Sequence, residues 1–422
     1  MRKLHYITAA SITLLPLLAT AASAATPGAG TDTAARIQTT QAGTIITPSS
    51  GVSTDTNAHT NVKIFIPAGR HALYAAPSGT YETPASLACV YGLTTPVVGC
   101  NPLTLKTVAA TGSRVIAIVD AFDDPTAASD LAAYSAQFGL PAITAKNFEV
   151  VYASGNKPNE DSSGGWEVEE SLDVQMAHAL APKAKVVLVE ASSNSNAALL
   201  EAEKVAIKLV EAAGGGEVSN SWASGEFSEE AKEENHFTGK KVVVFASSGD
   251  SNGTSVPAVL PNVIAVGGTS INRSKGGKFV SQTTWSADGG GLSEYIPTPS
   301  FQSGVTAVVG THRGTPDIAA DGNPQTGVWV YDTTPYGGQV LGWAILGGTS
   351  VASPAAAAMV NSAGTFRAST EAELAEMYSN LGNAKAFTDI VKGACGNAPS
   401  GTASVGYDLC TGIGAPYTTL GK

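Results

Sequence analysis

The feature that most constrains this chain is a train of short apolar runs separated by stretches with helical spacing. Residues 115–119, 148–152, 185–190, 217–222, 241–247 and 263–266 read as strands, and 126–138, 167–180 and 196–213 as helices between them. Strands and helices alternating at this interval predict an α/β fold, a doubly wound, mostly parallel sheet with helices on both faces. Runs such as VVVFA show no polar alternation, so these strands are expected to be buried on both sides. Ligands bind such sheets at the carboxyl ends of the strands, and the residues just beyond them are where chemistry is sought.

The ends of the chain read differently. Arg2 and Lys3 precede an apolar stretch over 7–19, and Ala22-Ser23-Ala24 forms a small-residue cleavage site before Ala25. Residues 1–24 are expected to be a secretory signal peptide. Residues 25–83, rich in Thr, Ala, Gly and Pro with only 62–66 strand-like, are expected to be a loosely structured N-terminal segment or short propeptide. The main domain is expected over 84–422. No other segment approaches the roughly 20 apolar residues of a membrane helix. A secreted, extracellular monomer without a membrane partner is expected, with periplasm or medium left open. The formal net charge of −11 offers nothing to neutralise phosphates, which argues against nucleic acid as a partner. Only 14% of residues are charged, and a surface so poor in ionisable groups suits an acidic setting as well as ordinary export. The four cysteines allow three connectivities; close spacing and an oxidising compartment favour Cys89–Cys100 and Cys395–Cys410.

The sharpest motif is Gly347-Gly348-Thr349-Ser350-Val351-Ala352-Ser353-Pro354, followed by AAAAMV. A serine at a helix start, after a Gly-Gly-Thr turn, offers an exposed hydroxyl beside its own backbone N–H, as a nucleophile with an oxyanion donor requires. The plainer alternative is a helix cap. Its base is not obvious. Of six histidines (His5, His59, His71, His178, His236, His312) only His178 falls on a helix of the αβ core. On that helix Glu169 and Asp173 are four apart and share a face, where two carboxyls tend to share a proton. Acidic residues also favour a helix's first turn. Asp250, in Ser247-Ser248-Gly249-Asp250-Ser251, follows a buried strand; protonated, it could donate to an oxyanion, and otherwise it caps a turn.

With these pieces in order, the sequence resembles the sedolisins, the serine-carboxyl peptidases of subtilisin-like fold. Matching segments are EESLDVQ (169–175), SNSW (219–222), SSGDS (247–251), VPAVLPNVIAVGGT (256–269), GGGLS (289–293), RGTPDIAA (313–320) and GGTSVASP (347–354). The resemblance implies Ser350 as nucleophile, Glu169 as general base and acid, Asp173 orienting Glu169, and Asp250 as oxyanion donor. It implies Ser219, Asn220, Ser221 and Trp222 as the strand lining the substrate subsites. It also implies one structural Ca²⁺ held by Asp389, Ile390, Ser404, Gly406 and Asp408, with Ser404 standing where the family has glycine. A large folded prodomain is usual in the family, and only about 60 residues separate the expected signal from the domain here. The expected activity is that of an acid-acting endopeptidase that cuts polypeptides through a Ser350 acyl-enzyme. Two alternatives stand beside it: a subtilisin-type site of Asp120, His178 and Ser350, and a secreted binding protein with a dead site.

Overall fold

The apolar runs become strands that lie side by side, as their pattern predicts. The computed structural model describes residues 35–52, 56–69, 76–396 and 401–422; the expected signal segment and His71 lie outside these. Four strands come first: β1 (Arg36–Thr39), β2 (Gly43–Thr47), β3 (His59–Thr60) and β4 (Lys63–Pro67). Next come β5 (Val115–Ala121), β6 (Phe148–Tyr152), β7 (Lys185–Ala191) and β8 (Gly216–Asn220). The chain then runs through β9 (Trp222–Gly225), β10 (Val242–Ser247), β11 (Ser255–Val256), β12 (Ile264–Arg273), β13 (Phe279–Thr284), β14 (Gly291–Pro297), β15 (His312–Thr315) and β16 (Ile318–Asp321). A hairpin, β17 (Val328–Tyr336) and β18 (Gln339–Gly347), follows. The helices are α1 (Pro84–Val90), α2 (Ala127–Phe138), α3 (Gly165–Leu180), α4 (Asn196–Ala212), α5 (Thr306–Val309), α6 (Thr349–Ala363) and α7 (Thr370–Ser379).

The central sheet has the order β13-β12-β10-β8-β5-β7-β6, with β16 also against β12. All of its pairs are parallel except β12–β13. Alternate residues of each strand serve opposite cores. Ile116, Ile118, Val186, Leu188, Val243 and Phe245 pack with α3 and α6, whereas Val115, Ala117, Val119, Val187, Val189 and Val244 pack with α4. Burying a Val, Leu or Ile side chain contributes about 1.5–3 kcal/mol, so each strand is held from both faces.

The expectation of a loosely structured segment over 25–83 does not hold for 36–47 and 59–67. There β1, β2 and β4 join β18 and β17 in a five-stranded antiparallel sheet. The β-branched run Gly43-Thr-Ile-Ile-Thr47 supplies strand propensity. It is only half buried, so no clean apolar alternation advertises it. Both expected disulfides, Cys89–Cys100 and Cys395–Cys410, are formed.

Helix α6 leaves β18 through Gly348, whose φ of +102° is left-handed backbone that suits glycine. Every residue from Thr349 to Ser362 is buried. Ala355–Ala358 keep that helix thin enough to lie against β8 and β10. Pro354 has no N–H to give the carbonyl of Ser350, one turn earlier. That freed carbonyl accepts instead from Ser221 Oγ at 3.4 Å.

Candidate active site

Helices α3 and α6 pack together and bring three functional groups to one place. Ser350 stands in the first turn of α6; Glu169 and Asp173 lie one turn apart on the face of α3 that meets it. None of the three is exposed. The Glu169 carboxyl faces the Ser350 side chain and Asp173, and Asp173 faces the Ser221 side chain, though none of the four carboxyl oxygens has a hydrogen-bond partner. Ser350 Oγ donates to the Ser221 carbonyl at 3.4 Å, so Ser221 and Ser350 brace each other reciprocally. Burial pushes Glu169 well above the ordinary carboxyl range, and the neighbouring Asp173 charge adds to it. Asp173 is raised in the same way, by burial first and by Asp120 second. Both shifts favour the protonated carboxyl at pH values where an exposed one would be ionised.

Asp250, three residues beyond β10, reaches the same helix start. Its Oδ1 accepts from Thr349 N–H at 2.7 Å and from Thr349 Oγ1 at 2.9 Å. Its Oδ2 lies 3.0 Å from the Lys63 ammonium. A pocket of about 600 Å³ opens beside Asp250, lined by His59, Asn61, Lys63, Trp285 and Gln325 among others.

Other sequence candidates fall elsewhere. His178 is nine residues past Glu169, roughly 13 Å along the helix axis. Its Nε2 meets Pro141 O at 3.2 Å, so the subtilisin-type set of Asp120, His178 and Ser350 is not assembled. Asp120, at the end of β5, borders Asp173 instead. Among the proposed subsite residues only Ser221 touches the nucleophile. Ser219 Oγ meets Ser353 Oγ at 2.9 Å, Asn220 Nδ2 donates to Phe245 O at 3.2 Å, and Trp222 packs against Phe237.

Sequence reasoning missed a second buried acid cluster. Asp120 and Glu190 are register partners on β5 and β7, and Glu170 on α3 faces them. Asp124, Glu167 and Asp332 complete the group. Burial raises Glu167 to about 8 and Asp124 to about 6, and lifts Glu170 and Glu190 in the same direction. Lys157 closes one edge through an ion pair to Asp123 at 2.9 Å.

Two acids of the expected calcium set meet in the C-terminal loop. Asp408 spends both oxygens on its own loop, accepting from Ser404, Cys410 and Thr411 N–H groups at 2.8, 2.9 and 2.8 Å. Asp389 Oδ2 accepts from Gly406 N–H at 2.9 Å, while its Oδ1 is buried without a partner. Two carboxylates converging on one loop, one with an orphaned oxygen, fit the all-oxygen set of a hard cation. No group of three or more His, Cys, Asp or Glu among the described residues suits a metal. Carbonyls of Ile390, Ser404 and Gly406 would therefore have to complete the set.

The sequence pattern of the subtilase family matches residues 150–373, which contain Glu169, Asp173, Asp250 and Ser350. The chain belongs to the subtilase family. Within this group of subtilases it is similar to kumamolisin of Bacillus sp. (strain MN-32), 30% identical over 323 residues. That match takes in 68% of this chain and 56% of kumamolisin. Sedolisin of Pseudomonas sp. (strain 101) is 26% identical over 322 residues, 68% of this chain and 53% of sedolisin. This subtilase thus spans just over half the length of the relatives it matches. The solved structure of Pseudomonas sedolisin, described as a serine-carboxyl proteinase complexed with two molecules of pseudo-iodotyrostatin, shares the fold. It gives a TM-score of 0.63 at 24% identity and covers 81% of this chain and 96% of that one.

Proposed function

We propose that this subtilase is a secreted serine-carboxyl endopeptidase that cuts polypeptides at acidic pH. The observation that carries the proposal is that Ser350, Glu169 and Asp173 are buried together where α3 packs on α6, with Glu169 facing the Ser350 side chain. Ser350 Oγ attacks the substrate carbonyl while Glu169, ionised, takes its proton. Asp173 and Ser221 hold Glu169 and Ser350 in register. The developing oxyanion is met by the Ser350 N–H and by a protonated Asp250. Glu169 then returns the proton to the departing amine, and water hydrolyses the acyl-enzyme by the reverse sequence. Acid favours this arrangement, because the Glu169–Asp173 pair must keep one proton.

Similarity to kumamolisin and sedolisin supports the reaction class, and the disulfides support an oxidising destination. One calcium ion on Asp389, Asp408 and the carbonyls of Ile390, Ser404 and Gly406 would tie the C-terminal loop to the domain. It plays no chemical part. The test is a pH–rate profile from pH 2 to 9 on a denatured protein substrate, for wild type, Glu169→Gln and His178→Ala. A peak at acid pH that disappears in Glu169→Gln and survives in His178→Ala supports the proposal. A peak above pH 7 that needs His178 refutes it.

A further inference from the structure

Asp250 has to be aimed, and the side chain that aims it belongs to the residue just before the nucleophile. Helix α6 begins without a side-chain cap of its own, because Gly348 has none to give. Asp250 comes across from the turn after β10 instead. Thr349 meets it with two donors on one oxygen, the N–H at 2.7 Å and the hydroxyl at 2.9 Å, both on Oδ1. The hydroxyl makes a second bond: Gly249 N–H donates to Thr349 Oγ1 at 3.2 Å. Its one hydrogen goes to Asp250 while its oxygen receives from the preceding residue of the same turn. Thr349 and Gly249 are both buried.

Other bonds already fix the backbone around this contact. Ser248 N–H donates to Val266 O at 3.0 Å, Gly289 N–H to Gly249 O at 2.7 Å, and Ser255 Oγ to Ser248 O at 3.2 Å. The buried Asp288 accepts from the Ser248 hydroxyl at 3.2 Å. On the helix side Gly348 N–H donates to Gly322 O at 2.6 Å. None of these bonds touches the Asp250 carboxyl. Its own partners among the described residues are Thr349 on Oδ1 and the Lys63 ammonium, 3.0 Å from Oδ2. A β-carbon on Gly348 would lie 2.9 Å from that Oδ2, so this edge of the carboxyl rests against the turn that leads into Ser350.

We propose that Thr349 is a positioning residue for Asp250: its hydroxyl ties Asp250 Oδ1 to Gly249 and turns Oδ2 toward the developing oxyanion. The proposal rests on the peptidase reading above. Two donors on Oδ1 leave Oδ2 as the oxygen that carries the hydrogen Asp250 offers in that reading. The terminal torsion of an aspartate is broad and roughly two-fold, so a carboxyl held by a single N–H can pivot on it. A second donor on the same oxygen, anchored to the neighbouring peptide, stops the pivot. Thr349 acts through Asp250 and makes no contact with substrate.

The experiment uses the full chain as wild type, Thr349→Val, Thr349→Ala, Thr349→Ser, Asp250→Ala, Ser350→Ala and the Thr349→Val/Asp250→Ala double variant. One fluorogenic peptide gives kcat and KM, and a peptide aldehyde, whose adduct with serine carries the tetrahedral oxygen, gives an inhibition constant. Thr349→Val keeps the volume and loses the hydroxyl; Thr349→Ala loses the hydroxyl without setting a methyl against Gly249 N–H, and serves if the valine variant does not fold. Each should lower kcat about tenfold to a hundredfold, part of what a whole oxyanion donor is worth. KM should stay within about twofold, and aldehyde binding should weaken by the same factor as kcat. Thr349→Ser, which keeps the hydroxyl, should stay within about threefold of wild type. In the Asp250→Ala background the Thr349→Val change should cost less than about twofold. Losses that multiply in the double variant, a change in KM alone, wild-type kcat in Thr349→Val and Thr349→Ala, or no rescue by serine each overturn the proposal and leave the peptidase reading standing. No turnover by wild type, or turnover that survives Ser350→Ala, overturns both.

Discussion

Glu203 gives the sharpest test of how burial governs this protein's response to pH. It sits on α4 with no exposure, facing the Asn220 side chain. Burial raises it from the ordinary 4.5 to about 8, and the nearby Asn220 side chain offsets part of that rise. A carboxyl whose folded value lies above its unfolded one binds its proton more tightly in the fold. Its contribution to stability is full below about pH 4.5 and is lost as pH climbs towards about 8. Each unit of difference is worth about 1.4 kcal/mol, so the loss across the window is about 3–5 kcal/mol. Glu203→Gln removes the titration and keeps the shape; its amide can donate to Asn220 Oδ1, which has no other partner. At pH 4 the variant should match wild type within about 1 kcal/mol. At pH 8 it should be more stable by the full amount, which for a chain of this length is roughly 4–6 °C in Tm. The assay is differential scanning calorimetry of both proteins at pH 4, 6 and 8. An equal Tm gap at all three pH values would refute the reasoning, whatever the size of that gap.

Three further outcomes are expected. Asp317→Asn strips the fully buried Arg313 of its bidentate partner, held at 2.6 and 2.8 Å; a loss of about 3–5 kcal/mol should show as a lower urea midpoint. If the C-terminal loop holds calcium, chelation should lower Tm, calcium at a hundred times Kd should restore about 2.7 kcal/mol, and Asp389→Asn should show neither effect. Opening Cys395–Cys410, which closes a 15-residue separation, should cost about 3 kcal/mol and be read as a lower thermal midpoint of a Cys395→Ala/Cys410→Ala variant.

Much of the central sheet was legible because its strands are buried on both faces and therefore appear as unbroken apolar runs. Ser350 was legible for a different reason: a glycine with left-handed backbone, a serine and a helix-interior proline each answer a local geometric demand, and together they leave a trace in the string. The Arg313-Gly-Thr-Pro-Asp317 motif was equally visible, and its role is a buried ion pair rather than chemistry. The second acid cluster was hidden because Asp120, Glu170 and Glu190 are distant in sequence and nothing in the string pairs them. Only the register of β5 on β7 and the packing of α3 over them bring these together. Strand β3 left no trace at all. Two residues pair through their backbones, and main-chain hydrogen bonds carry no side-chain signature. The SNSW segment was legible only as a unit; alternate residues of an extended run point to opposite sides, so Ser221 reaches the nucleophile and Asn220 turns to α4.

The buried carboxyls also decide how the molecule behaves in an electric field. The formal charge of −11 assumes that every acid is ionised, and burial in the fold raises several of them above the ordinary carboxyl range. The native protein should therefore focus at a higher pH than the same chain in urea, and near neutrality it should carry little charge to keep its copies apart. Unfolding returns those carboxyls to the ordinary range and makes the chain strongly anionic. Its native form is then the more prone to precipitate of the two at mildly acid pH, and brief exposure to alkali should disperse it while destroying it.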